Sequence, residues 1–168
     1  RYYEINSIAA RFFFDNLTKH ANPGYTYIRK RGISDETIKR FGLGYSPNSW
    51  NSLHKFLQDK GVSDEDMLKL GLVTQGKKGI YDKFRGRLMF PIFNTQGKVI
   101  GFGGRAIGDE MPKYLNSSES EIFLKKNNLY ALNFTKKNIN DTDQVLIVEG
   151  YMDAISLYQA GIRNVAAS

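Results

Sequence analysis

Apolar residues in the first part of the chain recur at helical spacing. Ile5, Ile8, Ala9, Phe12, Phe13 and Leu17 are separated by polar positions, which predicts an amphipathic helix over about residues 4–19. Asn22-Pro23-Gly24 predicts its end, since proline removes a backbone donor and glycine supplies a flexible turn. Tyr25, Tyr27 and Ile28 predict a second helix that stops at Arg31-Gly32. Ser34-Asp35-Glu36-Thr37 then provides an N-cap and an acidic first turn for a third, through Ile38 and Phe41. Gly42-Leu43-Gly44-Tyr45-Ser46 is too turn-rich for a helix and predicts a crossing segment towards Trp50. Leu53, Phe56 and Leu57 restart the helical spacing. Ser63-Asp64-Glu65-Asp66 repeats the cap before Met67, Leu68 and Leu70, with Gly71 closing that helix. The two capped helices share capping chemistry and do not imply a repeat architecture.

From Gly79 the period changes. Residues 88–93 and 98–102 predict two strands joined by Asn94-Thr95-Gln96-Gly97, a β-hairpin. Pro91 cannot donate to a ladder, which places it near an edge or a bulge. A loop over residues 108–120 leads to mixed structure around Ile122, Phe123 and Leu124. Val145-Leu146-Ile147-Val148 has the character of a strand buried on both faces of a parallel sheet, and residues 153–160 carry helical spacing at Ile155, Leu157 and Tyr158. Gly161 ends that helix and residues 162–167 begin another strand, so the tail reads as one βαβ unit. The fold class is α/β: an α+β N-terminal part with a hairpin over residues 1–142, then a βαβ unit over residues 143–168.

Composition adds a packed globular character and excludes disorder and disulfide-stapled scaffolds, because the chain has 168 residues, no cysteine and 13% aromatic residues. No apolar run approaches the roughly 20 residues of a membrane span, so the expectation is a cytoplasmic protein with no membrane partner. The first residue, Arg1, and the strand just begun at the end suggest a piece of a longer chain. The net charge of +7 is uneven. Residues 77–137 hold 12 basic and 5 acidic side chains, giving +7; residues 1–76 give +3 and residues 138–168 give −3. Such a block suits an anionic partner or a merely solvated lysine-rich surface.

Three motifs carry candidate chemistry. Glu149 follows the predicted parallel strand, where open sheets gather ligands, and Asp153 can turn towards the same space. The pair suits proton transfer and metal binding, or alternatively only satisfies amides at the helix start. Gly101-Phe102-Gly103-Gly104-Arg105 ends its strand in glycines beside an arginine. That allows a polyanion to approach the main chain, or forms a glycine-rich bulge with a solvated arginine. Pro112-Lys113-Tyr114-Leu115-Asn116-Ser117 combines a charge, a ring and an amide, the groups of a nucleotide pocket or of an ordinary surface loop.

In order, Tyr81-Asp82-Lys83-Phe84-Arg85-Gly86-Arg87-Leu88-Met89-Phe90-Pro91-Ile92, Gly97 to Arg105, Pro112 to Ser117 and Val148-Glu149-Gly150-Tyr151-Met152-Asp153 resemble the RNA polymerase core of bacterial DNA primases of the DnaG type. The resemblance runs from about Tyr27 to the last residue. It implies that residues 1–142 are the N-terminal subdomain of that core and residues 143–168 the start of a Toprim domain. It also implies short RNA primers made on single-stranded DNA from nucleoside triphosphates, with Mg2+ or Mn2+. By the same resemblance Glu149 is the catalytic, metal-linked glutamate and Asp153 a second metal ligand. Arg31, Arg105, Lys113 and Lys125 face template and nucleotide, and Tyr114 and Asn116 belong to a nucleotide-contacting loop. Zinc is expected only in a domain preceding the core, and a replicative helicase is expected to bind through a C-terminal one. The chain lacks the later aspartate pair of Toprim sites, so it is expected to be inactive alone. Another Toprim enzyme, a topoisomerase or nuclease, and a non-catalytic single-stranded nucleic-acid-binding module are the alternatives.

Overall fold

Helix α1 (Tyr2–Thr18) buries Ile5, Ala9, Phe13 and Leu17, one residue per turn of its inner face. Asn22 links it to α2 (Pro23–Lys30). Its amide nitrogen donates to the carbonyls of Asn16 and Leu17 at the end of α1, while its Oδ1 accepts from the Tyr25 N–H at 3.0 Å. The Asn-Pro-Gly sequence therefore starts the second helix as well as ending the first, with proline at the position whose N–H has no helical partner. Ser34 caps α3 (Asp35–Phe41) by accepting from the Thr37 N–H, and Gly42 closes it at φ 65°. The computed structural model describes residues 1–109, 111–118, 120–124 and 129–168.

The segment after Gly42 is a short strand, β1 (Gly44–Ser46). Helices α4 (Ser52–Asp59) and α5 (Asp64–Lys69) follow, the second capped by Ser63. A hairpin that apolar patterning does not reveal then appears, β2 (Val73–Gly76) with β3 (Gly79–Asp82). Its last residue has a distant task. Buried Asp82 accepts from the N–H groups of Leu53 and His54, each at 2.9 Å, and so caps α4 from another element.

Strands β4 (Arg87–Phe93), β5 (Val99–Ala106) and β6 (Tyr114–Asn116) complete an antiparallel sheet of order β1-β4-β5-β6. Pro91 sits in an interior strand. It is tolerated because β1 pairs only with Arg87, Leu88 and Met89, leaving the proline beyond its reach and next to a register shift at Ile92/Phe93. Two expectations change here. β5 does not end in its glycines but runs on to Ala106, and Lys113 to Asn116 lead into and form an edge strand, not a loop.

Helix α6 (Leu132–Thr142) precedes the βαβ unit of β7 (Leu146–Val148), α7 (Tyr151–Gln159) and β8 (Val165–Ala167), whose strands pair in parallel. Within this chain Val145, Leu146 and Ile147 are 45%, 44% and 48% exposed, while β8 is fully covered. β8 lies between β7 and the Tyr130 bridge, whereas among the described residues β7 has a ladder on one side only. One core cluster joins Leu17, Ile28, Phe41 and Phe90 to Ile155 and Val165, so the βαβ unit packs on the N-terminal helices and sheet. A second lies on the other sheet face, between α1, α4 and α5. Among the described residues no helix is long and apolar enough to cross a membrane.

Candidate functional site

β7 ends at Val148, and the chain turns through Glu149 and Gly150 into α7, putting Asp153 in that helix's first turn. Gly150 caps without a side chain, and a Cβ built there would lie 3.0 Å from an Asp153 carboxylate oxygen. The Asp153 carboxylate thus folds back towards Gly150 at the strand end. Among the described residues neither carboxylate accepts a hydrogen bond or forms an ion pair, so neither serves as the amide cap of α7.

These two residues line a cleft of about 410 Å3 together with Arg31, Tyr114 and Asn116. Arg31 arrives from the C-terminal end of α2. Tyr114 and Asn116 alternate with Leu115 on β6, so both rise from one face of the sheet edge. Arg105, paired with Tyr114 across the ladder, contacts a residue of the cleft without lining it: its Nε donates to the Tyr114 hydroxyl at 3.3 Å. The Lys113 ammonium lies 5.8 Å from the centre of the same ring. Lys125 lies outside the described residues.

Gly103 and Gly104 of β5 do not expose main-chain N–H groups, since they are in ladders with both β4 and β6. They make room for side chains. A Cβ on Gly103 would fall 2.3 Å from the Tyr151 ring, and one on Gly104 would fall 2.9 Å from Phe84. Tyr151 stacks on buried Tyr130 with ring centres 4.3 Å apart, and its hydroxyl donates to Asn116 Oδ1 at 3.4 Å. Burial raises both phenol pKa values, most strongly that of Tyr130. Periodicity could not mark Tyr151, because its role depends on a glycine 48 residues earlier.

Arg87 is a buried cation held by backbone carbonyls: its guanidinium donates to Pro112 at 2.6 Å, Lys113 at 3.3 Å and Gly104 at 3.4 Å. It thereby fixes the approach to β6. On its outer side a second groove runs past Lys83, Arg85, Pro112 and Met111. The Arg85 guanidinium lies 4.3 Å from the ring of Trp50 and 5.3 Å from that of Tyr81, and Trp50 is 65% exposed. Partial burial lowers the ammonium pKa of Lys83. The alternation of aromatic and basic residues in Tyr81-Asp82-Lys83-Phe84-Arg85 was the available signal, but Trp50 joins it only through the fold.

Residues 12–136 match the family described as DNA primase catalytic core, N-terminal domain. The DNA primase of Clostridium acetobutylicum is 51% identical over 166 residues, covering 99% of this chain and 28% of that protein. The chain thus spans under a third of that relative's length. Among solved structures, the RNA polymerase domain of Mycobacterium tuberculosis primase DnaG, in complex with a double-stranded DNA oligomer with a 6-nucleotide overhang, superposes with a TM-score of 0.94 at 33% identity. That match covers 99% of this chain and 53% of the other. A DnaG primase catalytic domain bound to single-stranded DNA gives 0.89 at 37% identity, with coverage of 99% and 53%. A sequence match over most of the chain and a superposition over nearly all of it place this chain in the DnaG-type DNA primase family, with residues 12–136 forming the N-terminal domain of the catalytic core.

Proposed function

We propose that the protein carrying this chain joins nucleoside triphosphates into short RNA primers on single-stranded DNA by metal-dependent nucleotidyl transfer. The observation that supports this most is the cleft itself, in which Glu149 and Asp153, unpaired among the described residues, share one space with Arg31, Tyr114 and Asn116. Residues 143–168 would be the start of the acidic half of that site, and residues 1–142 its basic half. Arg31 and Arg105 would meet phosphate oxygens, Tyr114 would stack on a base or sugar, and the Asn116 amide would hydrogen-bond a hydroxyl.

Among the described residues no group of three His, Cys, Asp or Glu side chains is placed to hold a metal. Two carboxylates nevertheless fit Mg2+, or Mn2+ in its place, since such an ion is commonly held by one or two carboxylates with water and substrate phosphates. A cation there would neutralise phosphate charge and favour ionisation of the attacking hydroxyl. Glu149 and Asp153 would hold it, and Glu149 is the group we assign to the reaction. The groove of Tyr81, Arg85 and Lys83, with exposed Trp50 beside it, would carry the template, with bases stacking on an exposed ring and phosphates meeting the cations. A helicase partner, if bound as in the resembled family, would act through another domain.

Primer synthesis by the full-length protein tests the reading. Glu149→Gln should lower kcat at least about 100-fold with single-stranded DNA binding unchanged, and Trp50→Ala should weaken that binding about tenfold with a salt dependence retained. Undiminished synthesis by Glu149→Gln would overturn the catalytic assignment.

A further inference from the structure

Tyr27 lies on α2 one helical turn before Arg31, the residue that closes that helix. The guanidinium carbon of Arg31 is 5.9 Å from the centre of the Tyr27 ring, and that of Arg105, arriving from β5, is 4.8 Å from the same centre. Arg105 is in turn 5.6 Å from the Tyr114 ring, and the Lys113 ammonium 5.8 Å from it. Cations and rings therefore alternate in the order Arg31, Tyr27, Arg105, Tyr114, Lys113. The series joins α2 to the neighbouring strands β5 and β6, more than 70 residues later in sequence.

Like charges gathered along one wall repel, and flexible cationic side chains would turn apart into water unless held. No ion pair holds these three: among the described residues none is joined to a carboxylate. Arg105 is held by hydrogen bonds, its Nε to the Tyr114 hydroxyl at 3.3 Å and a terminal nitrogen to the Ala106 carbonyl at 3.2 Å; the negative face of the Tyr27 ring attracts cations at about the range at which Arg31 and Arg105 lie, so that ring offsets the repulsion between the two. The positive charge stays uncompensated and available to an anion. The Tyr27 hydroxyl is buried with no hydrogen-bond partner among the described residues, so its ring, not its polar end, accounts for its place.

We propose that Tyr27 is a positioning residue whose ring holds Arg31 and Arg105 at a fixed spacing, so that three cations meet the polyphosphate of a nucleoside triphosphate together. The proposal rests on the reading of the cleft as a nucleotide site. Cations ordered before binding lose less freedom when the anion arrives, so the gain is in affinity and not in the chemical step.

The test is primer synthesis by the full-length protein at varied nucleoside triphosphate. Tyr27→Phe keeps the ring and should leave KM and kcat within about twofold of the parent. Tyr27→Leu removes the ring and should raise KM about tenfold, the loss of two such contacts, with kcat nearly unchanged. If Tyr27→Leu melts well below the parent, Tyr27→Met, flexible and without a π face, takes its place in the same comparison with Tyr27→Phe. A ringless variant with the KM of Tyr27→Phe overturns the proposal, and so does a ringless variant that loses kcat at constant KM. Arg105→Ala separates this from the site reading: unchanged KM there overturns the nucleotide assignment, whereas raised KM there with parental KM in Tyr27→Leu overturns the role of Tyr27 alone.

Discussion

Gly103→Ala is the smallest change that tests how the two halves of the cleft are joined. The added methyl would lie 2.3 Å from a Tyr151 ring carbon and 3.0 Å from Asn116 Oδ1. Carbon atoms pack favourably at about 3.5–4.0 Å, so the ring must retreat by more than about 1 Å. Its retreat is blocked, because Tyr130 stacks behind it at 4.3 Å and Phe90 meets it edge-on at 5.5 Å. Overpacking of this kind costs about 1–3 kcal/mol. The alanine recovers about 0.4–1 kcal/mol by restricting the unfolded chain. The net loss should be about 1–2 kcal/mol, or a fall in Tm of about 2–8 °C for a chain of this size. Urea and thermal unfolding measure it, and a cycle with Tyr151→Ala locates it. In the Tyr151→Ala background the 2.3 Å contact is gone and only Asn116 Oδ1 at 3.0 Å remains, released from its hydrogen bond to the Tyr151 hydroxyl, so the cost of Gly103→Ala should fall to a small fraction. An unchanged midpoint for Gly103→Ala, or an equal cost in both backgrounds, would refute the reasoning.

Asp82→Ala leaves the buried N–H of Leu53 and the half-buried N–H of His54 without an acceptor, and should cost about 1–3 kcal/mol in urea unfolding, with Asp82→Asn losing less; equal midpoints for Ala and parent would show that α4 does not depend on this cap. The hydrogen bond from His54 at 2.8 Å, assisted by Gln58, holds the Asp64 carboxyl below its ordinary 3.8. A group depressed in the folded state contributes stability that is complete above its unfolded value and lost as pH falls through the folded one. NMR titration should therefore find Asp64 ionised below pH 3.8 in the parent and restored towards 3.8 in His54→Ala, and an ordinary titration in the parent would count against the contact.

Much of the fold was legible because its signals are local. Capping by Ser34 and Ser63 depends on hydroxyls and N–H groups three residues apart, and the helices of the first 70 residues follow from that and from apolar spacing. The β4–β5 hairpin and the βαβ tail were equally plain from composition and period. The β2–β3 hairpin was not, since Thr74, Gln75 and the Lys77-Lys78 turn give it little apolar alternation and its register depends on packing beside α4. β6 was hidden for a related reason: three residues become a strand only because β5 offers an open edge and Arg87 anchors the chain before it.

The candidate site divides in the same way. Sequence alone marked Glu149 and Asp153 by their place after a parallel strand, and Arg105, Lys113, Tyr114 and Asn116 by their motifs, because motif order and charge are properties of the chain, whereas Arg31 and Lys125 entered only through the family resemblance. Only tertiary structure decided that Arg31, Tyr114 and Asn116 share a cleft with the carboxylates, that Tyr27 lies between two arginines, and that Gly103 exists to admit Tyr151. Those are relations between surfaces separated by many residues, and neither hydrophobic period nor local capping encodes a distance between them.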